Sequence, residues 1–288
     1  MTIDRSRLVS PAPGAVPASS AVLKLWGDER SGQVHDLIYV SNDKIQLMLF
    51  SMPPGGRFGH SEDHRTVLAA DELYCVLRGT LVLANPETGE VHRIGRGEAI
   101  SFGRDTWHHG FNHGTEPVEV LEFFAPPPAT GTSQPYARTR PYLSESTYVR
   151  NAWLGRWPQS VEKAHAEDTQ HPVEDILWRL EGTDDPVLVG IFLSTPELTA
   201  GSLDVLPGQR SDPIVRGGDE AGYVVSGRMS LFLPEDPDPD GPGNGWHVIG
   251  GGDGWYVPAG MPHRYFNMGD EPVHALFGVA PGYLPSDG

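Results

Sequence analysis

The sequence predicts an all-β fold that is organised as two tandem barrels. The chain has 288 residues, which is enough for two modest domains that each bury a core. Its 35 glycines and 27 prolines indicate many turns, and therefore many short strands. The second half also repeats residue patterns of the first half at constant offsets, which indicates duplicated domains.

The strands of the first barrel are predicted as apolar segments between turn signals. Ser41–Lys44 separates the first two segments, and Arg78 with Gly79 separates two later ones. The sequence Asn85–Gly89 is typical of a hairpin turn. The predicted strands are residues 34–40, 45–52, 73–77, 80–84, 91–94, 99–102, 107–111 and 118–124.

The repeat is clearest in two stretches. Residues 97–118 read like residues 252–273 at a constant offset of 155 positions. Residues 72–79 read like residues 220–227 at an offset of 148 positions, and the longer hairpin tip at 234–245 absorbs the difference. Agreement at this many fixed positions predicts the same fold for both halves. The coinciding pairs include Gly97 with Gly252, His108 with His263, Asn112 with Asn267, Glu72 with Glu220 and Gly79 with Gly227.

A change of composition after residue 125 marks the connection between the barrels. Pro126–Pro128 stiffens the exit from the first barrel, and residues 144–157 and 173–180 are predicted as short helices of a partly helical connector. The predicted organisation is a flexible leader at residues 1–20, an N-terminal barrel at 21–125, the connector at 126–180 and a C-terminal barrel at 181–288.

Charge excludes several kinds of partner. The chain has 21 Lys and Arg residues against 38 Asp and Glu residues, and its formal net charge is −17. Such an acidic chain repels phosphate backbones and anionic membranes, so we expect neither nucleic acid nor a membrane as a partner. No signal peptide is evident, and we expect a cytoplasmic protein that acts on a small molecule. Cys75 is the only cysteine, which excludes an intrachain disulfide and predicts a packed thiol.

Candidate metal ligands are concentrated in residues 60–112. Imidazole and carboxylate groups form the ligand set of borderline divalent metals such as iron, zinc and nickel. Because alternate residues of a strand share one face, ligands far apart in the sequence can converge inside a barrel. We predict His60, Glu72 and His108 as ligands, whereas His64 is either a further ligand or a solvated loop residue among charged neighbours.

Strand alternation extends this prediction to the pocket around the ligands. If Glu72 points into the barrel, Tyr74 and Val76 point inward as well. Tyr74 and Arg57 are therefore the polar side chains that we expect beside a substrate, in catalytic roles. The histidines outside the two motif regions, His92 among them, are interpreted as surface residues.

The motifs resemble those of the cupin superfamily, and the whole chain resembles a bicupin. The second cupin motif is Gly, five residues, Pro, one, Gly, two, His, three and Asn, and residues 252–267 match it at every position. In the first half, Gly103 and Asp105 stand where the motif has Pro and its second Gly. The first motif ends in Glu, six residues and Gly, which both halves contain, but its initial His-x-His is irregular here.

The resemblance implies two double-stranded β-helix (jelly-roll-like) barrels with a metal held by the motif histidines and glutamate. Bicupins include dioxygenases, oxalate decarboxylases and storage proteins that have lost the metal, so the fold does not determine the reaction. By the same analogy we expect the chain to form a homodimer.

The two halves differ in the loop that carries the first ligands. Pro54 to Glu72 spans 18 positions (72 − 54), whereas Pro207 to Glu220 spans 13 (220 − 207). The longer loop holds His60 and the shorter one has no histidine. We therefore predict one metal site per chain, in the N-terminal barrel, and a degenerate site in the C-terminal barrel. In the shorter loop the sequence has Arg210, Asp212 and Arg216 instead.

Two histidines and one carboxylate form the facial triad of non-haem Fe(II) oxygenases. We therefore expect one divalent metal per chain, Fe(II) first and Mn, Ni or Zn as alternatives. The favoured activity is that of an oxygenase or dioxygenase on a small oxygenated or aromatic metabolite. The alternatives are a metal-assisted isomerase, cyclase, lyase or decarboxylase that does not consume O₂, and a non-catalytic metal- or ligand-binding bicupin.

Overall fold

The computed structural model describes residues 9–62, 66–126, 137–139, 141, 143–144, 146, 168–235 and 244–285. Within these residues the regular structure consists of β-strands and two 3₁₀ turns, at Ala18–Ser20 and Val173–Asp175. The strands are β1 Gly14–Val16, β2 Val22–Asp28, β3 Gly32–Ser41, β4 Gln46–Met52, β5 Arg57–Phe58, β6 Thr66–Leu68, β7 Asp71–Arg78, β8 Thr80–Ala84, β9 Val91–Gly95, β10 Ala99–Phe102, β11 His109–Phe111, β12 Val118–Ala125, β13 Ala137–Thr139, β14 Thr169–His171, β15 Leu177–Glu181, β16 Val187–Ser194, β17 Thr199–Val205, β18 Asp219–Ser226, β19 Arg228–Phe232, β20 Trp246–Gly250, β21 Gly254–Val257, β22 Arg264–Phe266 and β23 Val273–Ala280. The fold is all-β with two tandem barrels, as predicted.

The first barrel is formed by two sheets. A seven-stranded sheet has the order β14-β10-β7-β12-β4-β3-β2, and a four-stranded sheet has the order β5-β11-β8-β9. Apolar side chains from both sheets fill the space between them, because residues on the inner face of each strand alternate with outward-facing ones. The residues of this core include Phe50, Phe58, Tyr74, Val76, Leu81, Leu83, Ile94 and Phe102.

The second barrel repeats this plan. Its large sheet has the order β1-β21-β18-β23-β17-β16-β15, and its small sheet has the order β20-β19-β22. A separate core fills it, with Trp255 and Tyr265 as its largest fully buried side chains.

The two faces of β7 have the roles that alternation predicts. Tyr74 and Val76 belong to the core of the first barrel. Leu73 and Cys75 belong to a different cluster, which also contains residues of the second barrel such as Tyr223. One face of the large sheet therefore lines the barrel interior, and the other face packs the two barrels against each other.

The structural repeat begins further upstream than the sequence similarity does. β14 lies 155 positions after β1 (169 − 14), and the 3₁₀ turn at Val173–Asp175 lies 155 positions after the turn at Ala18–Ser20 (173 − 18). β1 pairs with β21 of the second barrel, and β14 pairs with β10 of the first. Each repeat thus contributes its first strand to the barrel of the other repeat, so the correspondence extends upstream of the predicted boundary at residue 181.

Two expectations are corrected by these strands. Residues 9–20 do not form a flexible leader, because β1 pairs along the edge of β21 and Ala18 N–H donates to Asp253 Oδ1 at 2.9 Å. Residues 173–180 do not form a helix, because β15 pairs with β16 and the sheet satisfies its backbone groups. The other predicted helix, at 144–157, falls almost entirely outside the described residues. In the described part of the chain, no helix has the length and apolar character needed to cross a membrane.

Candidate functional site

The predicted ligands lie in the first barrel on three different segments. Glu72 is on β7 and is buried, with 4% of its surface exposed. His60 follows β5, and its ring centroid lies 6.4 Å from that of His108, which precedes β11. The ring of His108 stacks on Phe102 at a centroid distance of 4.6 Å, which fixes the orientation of the imidazole.

The Tyr74 hydroxyl contacts one of the two ring nitrogens of His108. The hydroxyl oxygen lies 3.0 Å from His108 Nε2. Burial lowers the pKa of His108 to about 4, and burial together with the charges of Glu122, Glu72 and Asp36 raises the pKa of Tyr74. The pair is therefore a neutral imidazole with a protonated phenol, and in this state the tyrosine O–H can donate to Nε2.

Glu72 lies in an environment that disfavours its charged form. Burial raises the pKa of Glu72 to about 8, and the neighbouring charge of Asp71 acts in the same direction. Among the described residues, no side chain donates a hydrogen bond to the Glu72 carboxylate. A cation beside Glu72 would reverse this effect by stabilising the carboxylate form.

Arg57 acts electrostatically on His109, and His109 contacts His60. The backbone N–H of His60 donates to His109 Nε2 at 3.2 Å, and the two rings lie 5.3 Å apart between centroids. Burial lowers the pKa of His109 to about 4, and the charge of Arg57 contributes to this shift. Arg57 itself is exposed on β5, at the rim of the barrel.

The donor set suits a divalent metal chemically, since two imidazoles and one carboxylate lie in the barrel. The ligand atoms of His60, Glu72 and His108 are not all within 4.8 Å of one another. Another group of described residues does meet this distance condition, and it is described below. His108 Nε2 is engaged by Tyr74. His64 lies outside the described residues. The assignment of these residues as ligands therefore stays a prediction.

The corresponding glutamate of the second barrel has a different environment. Glu220 accepts hydrogen bonds from Arg216 Nε at 3.0 Å, from Trp255 Nε1 at 2.8 Å and from the hydroxyl of Tyr265. Burial by itself would raise the pKa of Glu220, but His263 and Arg216 outweigh burial and lower it. The guanidinium of Arg216 supplies a cation to this carboxylate.

Arg216 is itself held on several sides. Its Nη1 lies 2.7 Å from Glu181 Oε1, and its guanidinium carbon lies 4.1 Å from the centroid of the Tyr283 ring. Only 6% of its side chain is exposed. The second barrel thus contains a closed network of charged groups where the first barrel has a glutamate without a hydrogen-bond donor among the described side chains.

One buried group of potential ligands was not predicted. Single ligand atoms of Glu90, His92 and Asp168 all lie within 4.8 Å of one another, and this group could hold a metal ion. The interpretation of His92 as a surface residue is wrong, since 1% of it is exposed. Alternation was the available signal, because His92 shares the inner face of β9 with the core residue Ile94.

Together, the paired sheets, the cores between them and a buried glutamate at the equivalent position of each barrel define a duplicated double-stranded β-helix protein. The family described as "Cupin domain" matches residues 48–124 and 201–279, which together cover more than half of the chain. The protein belongs to the cupin family and contains two cupin domains. No curated protein matches the sequence.

Solved structures with the same fold span nearly the whole chain. The oxalate decarboxylase of Lactobacillus farciminis, solved as a formate complex, is 13% identical with a TM-score of 0.62, and the alignment covers 98% of this chain and 90% of that one. A putative glyoxylate-induced protein of Pseudomonas aeruginosa is 13% identical with a TM-score of 0.63, covering 95% and 91%. AerE from Microcystis aeruginosa is 11% identical with a TM-score of 0.58, covering 90% and 97%. At these identities the likeness concerns the fold alone.

Proposed function

We propose that the protein is a metal-dependent cupin enzyme that converts a small oxygenated or aromatic metabolite in its N-terminal barrel, by oxygenase chemistry. The difference between the two glutamates carries the proposal. Glu220 forms an ion pair with Arg216, whereas Glu72 has no hydrogen-bond donor among the described side chains and lies in the barrel that also carries His60 and His108. A divalent cation held by Glu72, His60 and His108 would supply the missing positive charge.

Aromatic side chains surround Tyr74, which lies two residues after Glu72 on β7. The rings of Phe50 and Phe102 lie 5.2 and 4.8 Å from that of Tyr74, both in edge-to-face geometry. A substrate that enters beside these rings would be a small aromatic or enol-type molecule, because aromatic side chains favour flat, weakly polar partners. Arg57, at the rim, would attract an anionic substrate.

A metal bound here would act as a Lewis acid and, if it is Fe(II), as a carrier of electrons to O₂. The protein itself would supply a proton donor, the Tyr74 hydroxyl. The Tyr74 O–H is within hydrogen-bond reach of His108 Nε2, and its raised pKa keeps the proton on the phenol until a basic substrate atom takes it. The hydroxyl is therefore the donor that we assign to a substrate oxygen.

The same hydroxyl favours a second candidate, a metal-assisted isomerase, lyase or decarboxylase that uses no O₂. In such a reaction Tyr74 would protonate the carbanion or enolate that forms. The two candidates differ in their need for oxygen and share the same residues.

The test begins with metal content. Protein purified as the native chain and protein reconstituted anaerobically with Fe(II) are analysed for metal, beside His108→Ala and its counterpart His263→Ala, with folding checked by circular dichroism. We expect His108→Ala to lose one metal equivalent relative to the wild type and His263→Ala to retain it. Equal metal content in all three proteins would overturn the proposal.

Oxygen uptake then separates the two activities. With catechol- and enol-type substrates, we expect O₂ consumption that His108→Ala abolishes. Turnover that continues without O₂ and falls about 10²–10⁴-fold in Tyr74→Phe would instead establish the second candidate. Metal-loaded protein that converts none of these substrates, with or without O₂, would show a binding protein rather than an enzyme.

A further inference from the structure

Three buried side chains lie together outside the predicted site. Glu90, His92 and Asp168 are 4%, 1% and 0% exposed, and one ligand atom of each lies within 4.8 Å of the other two. Glu90 immediately precedes β9 and His92 is the second residue of that strand, whereas Asp168 immediately precedes β14. The cluster therefore joins the first barrel to the start of the second repeat.

Local structure positions each of the three ligand groups. The Thr88 hydroxyl donates to Glu90 Oε2 at 3.2 Å, which orients the carboxylate. His92 lies opposite Leu83 in the pairing of β8 with β9, on the inner face of the small sheet. The pairing of Thr169 with its partner on β10 sets the position of Asp168.

A second contact holds the same strand against β9. Gln170 Nε2 donates to the backbone carbonyl of Arg93 at 3.1 Å and to Glu98 Oε2 at 3.3 Å. The Gln170 side chain therefore connects β14 to β9. Asp168, two residues earlier in the chain, lies beside Glu90 and His92.

The chemistry of this cluster suits a cation. Two carboxylates and one imidazole, each with one ligand atom within 4.8 Å of the others in a buried place, form a donor set that a cation can bind. A mixed nitrogen and oxygen set is suited to borderline divalent metals such as Zn²⁺, Mn²⁺ or Fe²⁺.

The other repeat shows that the fold itself does not require this cluster. At the offset of 155 positions, Gly245 and His247 correspond to Glu90 and His92, and Pro13 corresponds to Asp168. His247 packs against Gly14, where a Cβ would lie 2.5 Å from its ring. Both junctions hold an exchanged strand, but at these three positions only Glu90 and Asp168 are carboxylates.

We propose that Glu90, His92 and Asp168 form a divalent-metal site, distinct from the one predicted at His108, that fastens β14 and so the second repeat to the first barrel. The site takes Zn²⁺ or Mn²⁺ as a structural ion. The proposal does not depend on the proposed enzymatic activity, because these ligands lie on the hairpin and the exchanged strand.

Calorimetric titration of the chelator-treated full chain with Zn²⁺ or Mn²⁺ tests the site. Asp168→Asn preserves shape and removes a charge, and we expect it to weaken one binding event by about 10–100-fold. The double variant His60→Ala/His108→Ala removes the other predicted site, and His247→Ala is the matched control in the second repeat. Both controls are expected to retain the binding event that Asp168→Asn weakens.

Thermal unfolding provides an independent readout. Saturating metal is expected to raise the Tm of the wild type and of His247→Ala but not that of Asp168→Asn, since only binding to the folded state stabilises. A Co²⁺ absorption spectrum that changes in Asp168→Asn and is unchanged in His60→Ala/His108→Ala would support ligation directly. Wild-type and Asp168→Asn chains with the same affinity, or a wild type whose binding is wholly lost in His60→Ala/His108→Ala, would overturn the proposal.

Discussion

The two barrels place equivalent glutamates in opposite electrostatic situations. Glu220 is fully buried, yet three donors and the charge of Arg216 hold it as a carboxylate. Glu72 is nearly as buried, and its pKa is raised to about 8. The comparison teaches that equivalent positions of a duplicated barrel can give a buried carboxylate either a side-chain cation or, as we propose for Glu72, an external one.

The histidine of each barrel is also paired with a tyrosine, but from different strands. Tyr74 on β7 contacts His108 Nε2 at 3.0 Å, whereas Tyr265 on β22 contacts His263 Nε2 at 3.2 Å. Only Tyr265 also donates to the glutamate of its barrel. Among the described side chains, the Tyr74 hydroxyl therefore has a hydrogen-bond contact with His108 and none with Glu72.

Two glycines make this exchange possible. Gly222 stands where the first repeat has Tyr74, and a Cβ there would lie 2.1 Å from Trp255. Gly110 stands where the second repeat has Tyr265, and a Cβ there would lie 2.2 Å from Phe58. In each barrel one aromatic ring occupies the space that the missing tyrosine would fill.

The largest expected effect comes from removing the cation of the second barrel. Arg216→Leu leaves the Glu220 charge buried without its partner, and we expect it to lower the free energy of unfolding by about 3–5 kcal/mol in urea titrations. Arg210→Leu is the control, because Arg210 pairs with Asp185 at the surface, with 55% of its side chain exposed. We expect the control to cost less than about 1 kcal/mol. Equal costs for the two variants would mean that the network around Arg216 is not what stabilises the second barrel.

The tyrosines test whether the two barrels differ in stability or in function. Tyr265→Phe removes a hydrogen bond to a charged group and is expected to cost about 1.5–3 kcal/mol. Tyr74→Phe removes a bond between neutral groups and is expected to cost about 0.5–1.5 kcal/mol. Urea titrations measure both costs. A greater cost for Tyr74→Phe would reverse the assignment of the structural tyrosine to the second barrel.

The two glutamates predict opposite pH dependences of stability in chelator-treated protein. For Glu72 the folded pKa, about 8, lies above the ordinary 4.5, so its stabilising contribution is present below about 4.5 and is lost as the pH rises to 8. For Glu220 the folded pKa lies below the ordinary 4.5, so its contribution is present above that value and is lost as the pH falls. The sign of the change in unfolding free energy with pH therefore shows which of the two glutamates, and so which barrel, is responsible.

Glutamine variants isolate each slope with the smallest structural change. Glu72→Gln should reduce the loss of stability between about pH 5 and pH 8, and Glu220→Gln should reduce the loss below about pH 4.5. Unfolding free energies measured in urea across this range are compared with those of the wild type. A Glu72→Gln protein with the wild-type slope would contradict the raised pKa of Glu72.

The sequence by itself determined the properties that depend on local periodicity and on similarity within the chain. The motif offsets predicted two barrels, and alternation along β7 predicted that Tyr74 and Val76 face inward. The longer loop that holds His60 distinguishes the two halves in the sequence, and the metal site predicted from it stays a prediction. Such properties follow from neighbouring residues, because a strand turns successive side chains to opposite faces.

The tertiary structure decided which distant strands meet. β1 and β14 have three residues each, too short for a periodic signal, and they are recognised only by the sheet edges with which they pair. That exchange brings Asp168 to His92, and the folding of the second barrel brings Trp255 and Tyr265 to Glu220. Contacts of this kind depend on backbone hydrogen bonding and packing between remote segments, which neither composition nor spacing records.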